Sequence, residues 1–228
     1  QLRERFVELS LQLLSLEMAH GDIKPDNIIV TESGEIKLID FDAAYLPGLV
    51  RKESGEIGTP WYQHPLREMR HYDRTLDDYS IALITVSLLA LEQLPSLYDS
   101  YSNEENLILS PARISKGIDV PFNILKKRWA YQPIYLRLLM TLDIRNHTLK
   151  NRSDGLPDIS ISNLKRLLEH LSQRRAIDLN DYTLLPEDEG LEIRRVISRS
   201  GLYGYINREN ILIVDCMYGD ATPFHNGY

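Results

Sequence analysis

The sequence predicts an α+β fold in which a mainly helical region is followed by a short antiparallel β segment. Apolar residues at helical spacing dominate the chain up to about residue 175. Strand-like runs separated by turn residues follow from about residue 190. The stretch between them is polar and acidic, which is typical of a linker. We therefore predict a helical domain over 1–175, an acidic linker over 176–189 and a β module over 190–228.

Composition excludes several classes of protein. The 228 residues suffice for one large domain with a small module. A net charge of −7 disfavours general nucleic-acid binding, which needs a basic face. The single cysteine excludes a disulfide framework and favours a reducing, cytoplasmic environment. The longest apolar run, Tyr79–Leu91, is shorter than the roughly 20 residues that span a bilayer, so no membrane segment is evident.

The helical region contains three well-marked helices. The first, over residues 2–17, is predicted by an apolar stripe of Leu2, Phe6, Leu9, Leu13 and Leu16. The second runs from about Asp78 to Leu94 and is apolar nearly all round, which predicts burial. Residues 104–150 predict short helices, and leucines up to Leu171 mark the last amphipathic helix.

Two kinds of β signal are present. The runs Asn27–Val30 and Ile36–Ile39 flank a turn at residues 32–34 and predict a hairpin. Residues 42–65 are irregular and rich in Gly and Pro, which indicates a long functional loop. Near the C-terminus, further strands are predicted over 193–197, 203–206 and 211–214.

Polar residues flank the hairpin in a pattern suited to phosphoryl transfer. Asp22 lies in a loop between helix and strand, with Lys24 two residues later. Asn27 opens the first strand, and Asp40 follows the second, so the hairpin brings these two side chains together. Their oxygens suit Mg²⁺. Phosphoryl transfer needs a carboxylate to orient the hydroxyl, metal ions to bridge the phosphates and cations to offset charge.

At these residues the chain resembles the eukaryotic-type serine/threonine protein kinases, as they occur in bacteria. The segment His20–Asn27 reads H-G-D-I-K-P-D-N and resembles their catalytic loop, and Asp40-Phe41 resembles their metal-binding loop. Gly58–Pro65 resembles the end of an activation segment, and Asp77–Ser80 the start of their central helix. The resemblance covers about residues 1–175 and implies the C-lobe of an ATP- and Mg²⁺-dependent kinase acting on Ser or Thr of proteins.

The resemblance also implies roles for individual residues. Asp22 would be the catalytic base, and Lys24 would contact the γ-phosphate of ATP. Asn27 and Asp40 would bind Mg²⁺. Thr59 would lie in the loop that presents the substrate hydroxyl and would contact Asp22 or Lys24.

Supporting roles follow in the same way. Asp77 would cap the central helix and brace the catalytic loop, and His20 and Phe41 would pack in the core.

Departures from the family pattern predict altered regulation. Gly21 stands where an arginine usually reads a phosphate on the activation segment, so activation by phosphorylation there is disfavoured. Asp42 replaces a glycine, which predicts a less mobile metal-binding loop. Leu66 replaces a glutamate, so its ion pair is expected to be lost or re-made with Glu68. These 228 residues contain no glycine-rich loop and no strand lysine, so we expect an N-lobe to be missing and the chain alone to be inactive.

Two other functions stay open. Small-molecule kinases of the aminoglycoside and choline type share the features at Gly21 and Asp42, whereas Lys24 and Gly58–Pro65 favour a protein kinase. A pseudokinase scaffold is the other alternative, although all four polar catalytic residues are present.

The C-terminal residues 190–228 resemble one WG repeat, a β-repeat with a Trp/Tyr-Gly-x-Ile core. The matching residues are Gly201, Tyr203, Gly204, Tyr205, Ile206, Tyr218, Ala221, Phe224 and Gly227. Asn210 stands where a turn glycine is usual. Repeat units need neighbours to close a core, so the resemblance implies part of an array that binds a protein or peptide partner.

Overall fold

A computed structural model describes residues 2–49, 51, 53–146, 150–172, 177–186, 193–208 and 210–220. The chain divides into two compact units, Gln1–Ser172 and Gln173–Tyr228. The first unit is mainly helical and the second is built from strands. The predicted α+β class is therefore confirmed, and the predicted domain boundary at residue 175 lies close to the observed division.

The first unit contains seven helices and one hairpin within its described residues. The helices are α1 (Leu2–Ser15), α2 (Asp78–Gln93), α3 (Ser96–Tyr101), α4 (Pro111–Ser115), α5 (Val120–Arg128), α6 (Pro133–Met140) and α7 (Leu164–Ser172). The hairpin strands are β1 (Ile28–Val30) and β2 (Ile36–Leu38). Short 3-10 turns lie at Pro25–Asn27, Pro60–Tyr62 and Ile144–Asn146.

Helix α2 forms the centre of the first unit. Nearly all of its side chains are buried, as its all-round apolar sequence predicts. Helix α1 packs in the same core through Phe6 and Val7. Trp129, at the end of α5, is fully buried and donates its indole N–H to Gln93 at 2.9 Å. No helix in the described ranges is long and apolar enough to cross a bilayer.

The hairpin has the predicted antiparallel register. Ile28 pairs with Leu38, and Val30 pairs with Ile36. Beyond the last pair, the Ile39 N–H donates to the carbonyl of Asn27 at 3.1 Å. This bond continues the ladder by one step, so the residue after Ile39 lies beside the start of β1.

The second unit is an antiparallel sheet in the order β3-β4-β5-β6. Its strands are β3 (Tyr182–Leu184), β4 (Ile193–Ser198), β5 (Tyr203–Asn207) and β6 (Leu212–Tyr218). The three strands predicted beyond residue 190 are confirmed. The prediction of a linker over 176–189 is wrong at its centre, because Tyr182 pairs with Ser198 and Leu184 with Val196. The acidic surroundings masked a short run of β-favouring residues.

Four of the WG-like residues, Tyr203, Gly204, Tyr205 and Ile206, lie on the inner strand β5. Gly204 and Ile206 are buried on β5, and Asn210 has a φ of +59°, the left-handed conformation that a turn glycine otherwise supplies. Ala221, Phe224 and Gly227 lie outside the described residues. The WG assignment therefore stays a prediction.

Candidate active site

The catalytic loop is anchored to the start of α2 by Asp77. The carboxylate of this buried residue accepts the N–H of His20 at 2.5 Å and that of Gly21 at 2.8 Å. The predicted brace is therefore confirmed. Asp77 also stands at the predicted N-cap position of α2, but its side chain makes no capping bond there. Both oxygens are used by the loop, and burial raises the pKa of Asp77 against these two hydrogen bonds.

Asp22 lies at the centre of a polar cluster. Its Oδ1 accepts the N–H of Thr59 at 2.5 Å, and its Oδ2 lies 3.3 Å from the Thr59 hydroxyl. Lys24 Nζ lies 3.1 Å from Asp22 Oδ2 and donates to Thr59 Oγ1 at 2.9 Å. Thr59 thus contacts both Asp22 and Lys24, the two residues that the family resemblance offered as its partners.

Asn27 completes this cluster from the start of β1. Its Nδ2 donates to the carbonyl of Asp22 at 2.9 Å and lies 3.3 Å from the Asp22 carboxylate. The side chain is buried. Since the amide nitrogen is used in this way, the amide oxygen is the atom left for a hard cation.

The charge of Asp22 is set by its neighbours. Burial alone would raise the pKa of this carboxyl, but the Thr59 N–H and the Lys24 ammonium outweigh burial and hold the pKa below its usual value. Asp22 is therefore ionised at neutral pH and can accept a hydrogen bond from a hydroxyl group.

The metal-binding loop is open to solvent. Asp40 is exposed and has a φ of +66°, a left-handed conformation that is uncommon outside glycine and that aspartate adopts more readily than most residues. The prediction that Phe41 packs in the core is wrong, because its side chain is 48% exposed. Its ring packs against that of His20 at a centroid distance of 4.6 Å.

His20 links the catalytic loop to the metal-binding loop. It is fully buried, as predicted, and its Nε2 lies 2.8 Å from the carbonyl of Ile39. Because Ile39 directly precedes Asp40, this bond fixes the metal-binding loop to the catalytic loop at one point.

Two residues of the activation-like segment, which we define as residues 42–67, contact the catalytic loop and were missed by sequence reasoning. Arg67 Nη1 donates to the carbonyl of Gly21 at 2.6 Å, and Gln63 Nε2 donates to the same oxygen at 3.2 Å. Arg67 is buried and also bonds the Gln63 side chain. Gln63 and Arg67 lie four residues apart in the sequence, just after a turn that contains a proline. That spacing does not indicate that Arg67 contacts Gly21, 46 residues earlier in the chain.

Close packing also explains why a glycine is found on each side of the contact between the catalytic loop and the activation-like segment. A Cβ at Gly21, whose φ is +86°, would lie 2.3 Å from the carbonyl oxygen of Ala43. A Cβ at Gly58 would lie 2.7 Å from the Gly21 oxygen and 2.9 Å from Asp22 Oδ1. Side chains at either position would push the segments apart.

Near Leu66, where the sequence leaves an ion pair lost or re-made with Glu68, Glu68 pairs with Arg70, two residues away on the surface. A separate, long-range pair joins Asp73 to Arg152 at 2.6 Å. It ties the segment before α2 to residues that precede α7.

Comparison with known proteins identifies the family of this site. The family model described as protein kinase domain matches residues 11–173, more than half of the chain. The matched range includes the catalytic loop, the metal-binding loop and the activation-like segment.

The individual relatives are named as protein kinases. Mitogen-activated protein kinase pmk-1 of Caenorhabditis elegans and p38a of Drosophila melanogaster are each 35% identical over 81 residues, which cover 33% of this chain and 20% of the relative. Serine/threonine-protein kinase CLA4 of Eremothecium gossypii is 33% identical over 90 residues, which cover 39% of this chain and 11% of the relative. The chain thus spans a fifth or less of the length of these curated relatives.

Proposed function

This chain belongs to the protein kinase domain family, and from that premise we propose that the intact protein transfers the γ-phosphate of ATP to Ser or Thr hydroxyls of protein substrates. The observation that carries the proposal is the cluster of Asp22, Lys24 and Thr59, whose polar atoms lie within 2.5–3.3 Å of one another. It joins a carboxylate, a cation and the activation-like segment at one place.

Asp22 is the group proposed to act on the attacking hydroxyl. A carboxylate that is ionised at neutral pH accepts the hydroxyl hydrogen bond and orients an oxygen lone pair toward the phosphorus. Thr59, bonded to Asp22 through its backbone N–H, belongs to the segment that would hold the substrate backbone nearby. The fixed position of this pair keeps the hydroxyl from being misaligned.

Lys24 is proposed to offset charge on the transferred group. Its ammonium is partly buried between Asp22 and Thr59. A cation held there reduces the repulsion between the carboxylate and an incoming phosphoryl oxygen.

Asn27 and Asp40 have the donor chemistry for the metal. One offers an amide oxygen and the other an exposed carboxylate, and Mg²⁺ is usually held by one or two such protein ligands together with substrate phosphates. The ladder bond from Ile39, the residue before Asp40, to Asn27 supports a metal site shared by the two residues. When bound, ATP with Mg²⁺ supplies the phosphoryl group and neutralises its charge.

The choice of a protein substrate over a small molecule is supported by the activation-like segment. Arg67, Gln63 and Thr59 all hydrogen-bond to catalytic-loop residues, so the segment is held against the loop that carries Asp22. A segment fixed beside the proposed base supports a polypeptide acceptor over an aminoglycoside- or choline-type one.

The second unit is proposed to bind a protein or peptide partner. Its antiparallel sheet and the buried Gly204 and Ile206 support a WG-type module. Further repeats, a bacterial source and a cytoplasmic location stay predictions. Sequencing the gene on both sides of this segment tests the first two directly.

The central test is the substitution Asp22→Asn in the intact protein. The amide keeps the shape of the side chain but cannot accept a proton, so we expect kcat for transfer from γ-labelled ATP to a protein acceptor to fall by about 10²–10⁴-fold. Glu32→Gln, an exposed carboxylate in the hairpin turn, is the matched control and should leave kcat within about threefold.

Two results would contradict the proposal. Unchanged labelling by Asp22→Asn would exclude its role in transfer. Label appearing in an aminoglycoside or choline acceptor, with none in protein, would favour the small-molecule alternative.

A further inference from the structure

The catalytic loop has a cation bound to it that does not come from the loop itself. Gly21 cannot be an arginine in this backbone, because its φ is +86° and any Cβ would overlap the carbonyl of Ala43. Arg67, at the end of the activation-like segment, lies against the same residue instead. Its guanidinium donates to Gly21 O at 2.6 Å and to the carbonyl of Glu56 at 3.4 Å.

This contact fixes the peptide that carries the proposed catalytic base. The N–H of Gly21 is bonded to Asp77, and the carbonyl of Gly21 is bonded to Arg67. The carbonyl belongs to the peptide bond that leads directly into Asp22. Gly21 is therefore held on both sides, and rotation of the Gly21–Asp22 peptide would break a charge-assisted hydrogen bond.

Two nearby carboxylates partly offset the cost of burying the Arg67 guanidinium. Arg67 is only 7% exposed. Burial lowers the pKa of its guanidinium, while the carboxylates of Asp77 and Asp22 oppose that shift. An arginine stays protonated in proteins, so a permanent positive charge offsets two carboxylates here.

The hydroxyl groups of the segment are few, and most of them are hydrogen-bonded. Between residues 42 and 59 the sequence contains three hydroxyl side chains, Tyr45, Ser54 and Thr59. The hydroxyls of Ser54 and Thr59 are hydrogen-bonded, and the ring of Tyr45 is packed against another ring. Ser54 is 1% exposed and bonds the Glu56 carbonyl, Thr59 bonds Lys24, and the Tyr45 ring packs edge-on against Tyr72 at 5.4 Å.

We propose that Arg67 is a positioning residue that holds the activation-like segment on the catalytic loop and fixes the orientation of Asp22 without phosphorylation of the segment. In the family pattern, an arginine of the catalytic loop binds a phosphate on the activation segment. Here the cation belongs to the segment, and it binds a carbonyl of the catalytic loop. This proposal rests on the proposed phosphotransferase function, since Asp22 is the group that it positions.

The test compares Arg67→Met, Arg67→Lys and the control Arg70→Met in the intact protein. Arg70 lies three residues later, is exposed and pairs only locally with Glu68 among the contacts described. We expect kcat of Arg67→Met to fall by about 10- to 100-fold, because a buried charge-assisted hydrogen bond is lost. The KM for ATP should stay within about threefold. Arg67→Lys should recover part of kcat, since lysine keeps the charge but not the fork of donors.

Phosphatase treatment is the second arm. Wild-type kcat should be unchanged after treatment with a phosphatase that acts on Ser, Thr and Tyr. A loss of activity that returns on rephosphorylation of residues 42–59 would overturn the proposal, as would equal kcat values for Arg67→Met and Arg70→Met.

Amide hydrogen exchange is a third readout that does not depend on activity. The amides of Gly21 and Thr59 should exchange faster in Arg67→Met than in Arg70→Met, and equal rates would overturn the proposal. If the wild type transfers no phosphate, the proposed function fails, and exchange still decides whether Arg67 holds the loop. If Arg67→Met does not fold, Arg67→Lys and the phosphatase arm decide.

Discussion

The catalytic loop and the metal-binding loop are neighbours, yet the fold holds them very differently. In the catalytic loop, His20, Ile23 and Asn27 are buried, and hydrogen bonds arrive from α2 and from the activation-like segment. In the metal-binding loop, Asp40 and Phe41 are exposed. The link from His20 to the carbonyl of Ile39 joins the two.

The difference separates the two halves of the proposed reaction. The half that receives the hydroxyl is preorganised by the first unit, because its charges and dipoles are fixed before any substrate binds. On the half that receives phosphate and metal, large apolar side chains are exposed on and beside the hairpin: Ile29, Val30, Ile39 and Phe41. Substitutions on the two sides should therefore differ in their effect on stability.

The largest expected difference is between Ile23 and Phe41. Ile23→Ala removes a fully buried side chain and should lower the free energy of unfolding by about 2–5 kcal/mol. Phe41→Ala removes a larger but half-exposed ring and should lower it by about 1 kcal/mol or less. Chemical denaturation of the intact protein measures both. Equal losses would show that Phe41 is as well packed as Ile23 and would remove the contrast between the loops.

A pair of glycines gives the next largest difference. Gly21 and Gly34 have nearly equal positive φ values, +86° and +80°, but a Cβ at Gly34 would meet nothing within 4 Å. Gly34→Ala should therefore lower stability by about 1 kcal/mol, through backbone conformation alone. Gly21→Ala adds the overlap with Ala43 and should lower it by about 2–4 kcal/mol. Denaturation curves that coincide for the two variants would contradict the close approach on which the anchored loop depends.

The smallest expected effect is a pH dependence of the unfolding free energy that arises from Asp78, the first residue of α2. Burial raises the pKa of Asp78 to about 7 from its ordinary 3.8, even though its carboxylate accepts the Ile161 N–H at 2.8 Å. The folded state keeps this proton up to about pH 7, whereas the unfolded chain releases it near pH 4. Stability contributed by Asp78 is therefore present below pH 4 and is lost as the pH rises from 4 to 7.

Asp78→Asn isolates this dependence. The amide still accepts the Ile161 N–H but does not ionise. Relative to wild type, the variant should gain about 1–3 kcal/mol of unfolding free energy between pH 4 and pH 7. Denaturation series at the two pH values measure the gain, and parallel pH profiles for the two proteins would contradict it.

The amino-acid sequence by itself determined the local parts of this protein. The apolar stripe of α1, the all-round apolar α2 and the turn of the hairpin depend on residues within one or two turns of the chain. The polar residues Asp22, Lys24 and Asn27 lie within six positions, so a short motif carried them. For the same reason the sequence brought Asp40 back beside Asn27, since a hairpin is a short-range structure.

Only the tertiary structure decided how those residues are held. Arg67 meets Gly21 across 46 positions, and Asp77 meets the same residue across 56. Periodicity and spacing describe neighbours along the chain, and they do not encode which distant side chain completes a buried hydrogen bond. The exposure of Phe41 and the pairing of β3 with β4 were misjudged for the same physical reason, because burial and strand pairing depend on what packs against a residue in three dimensions.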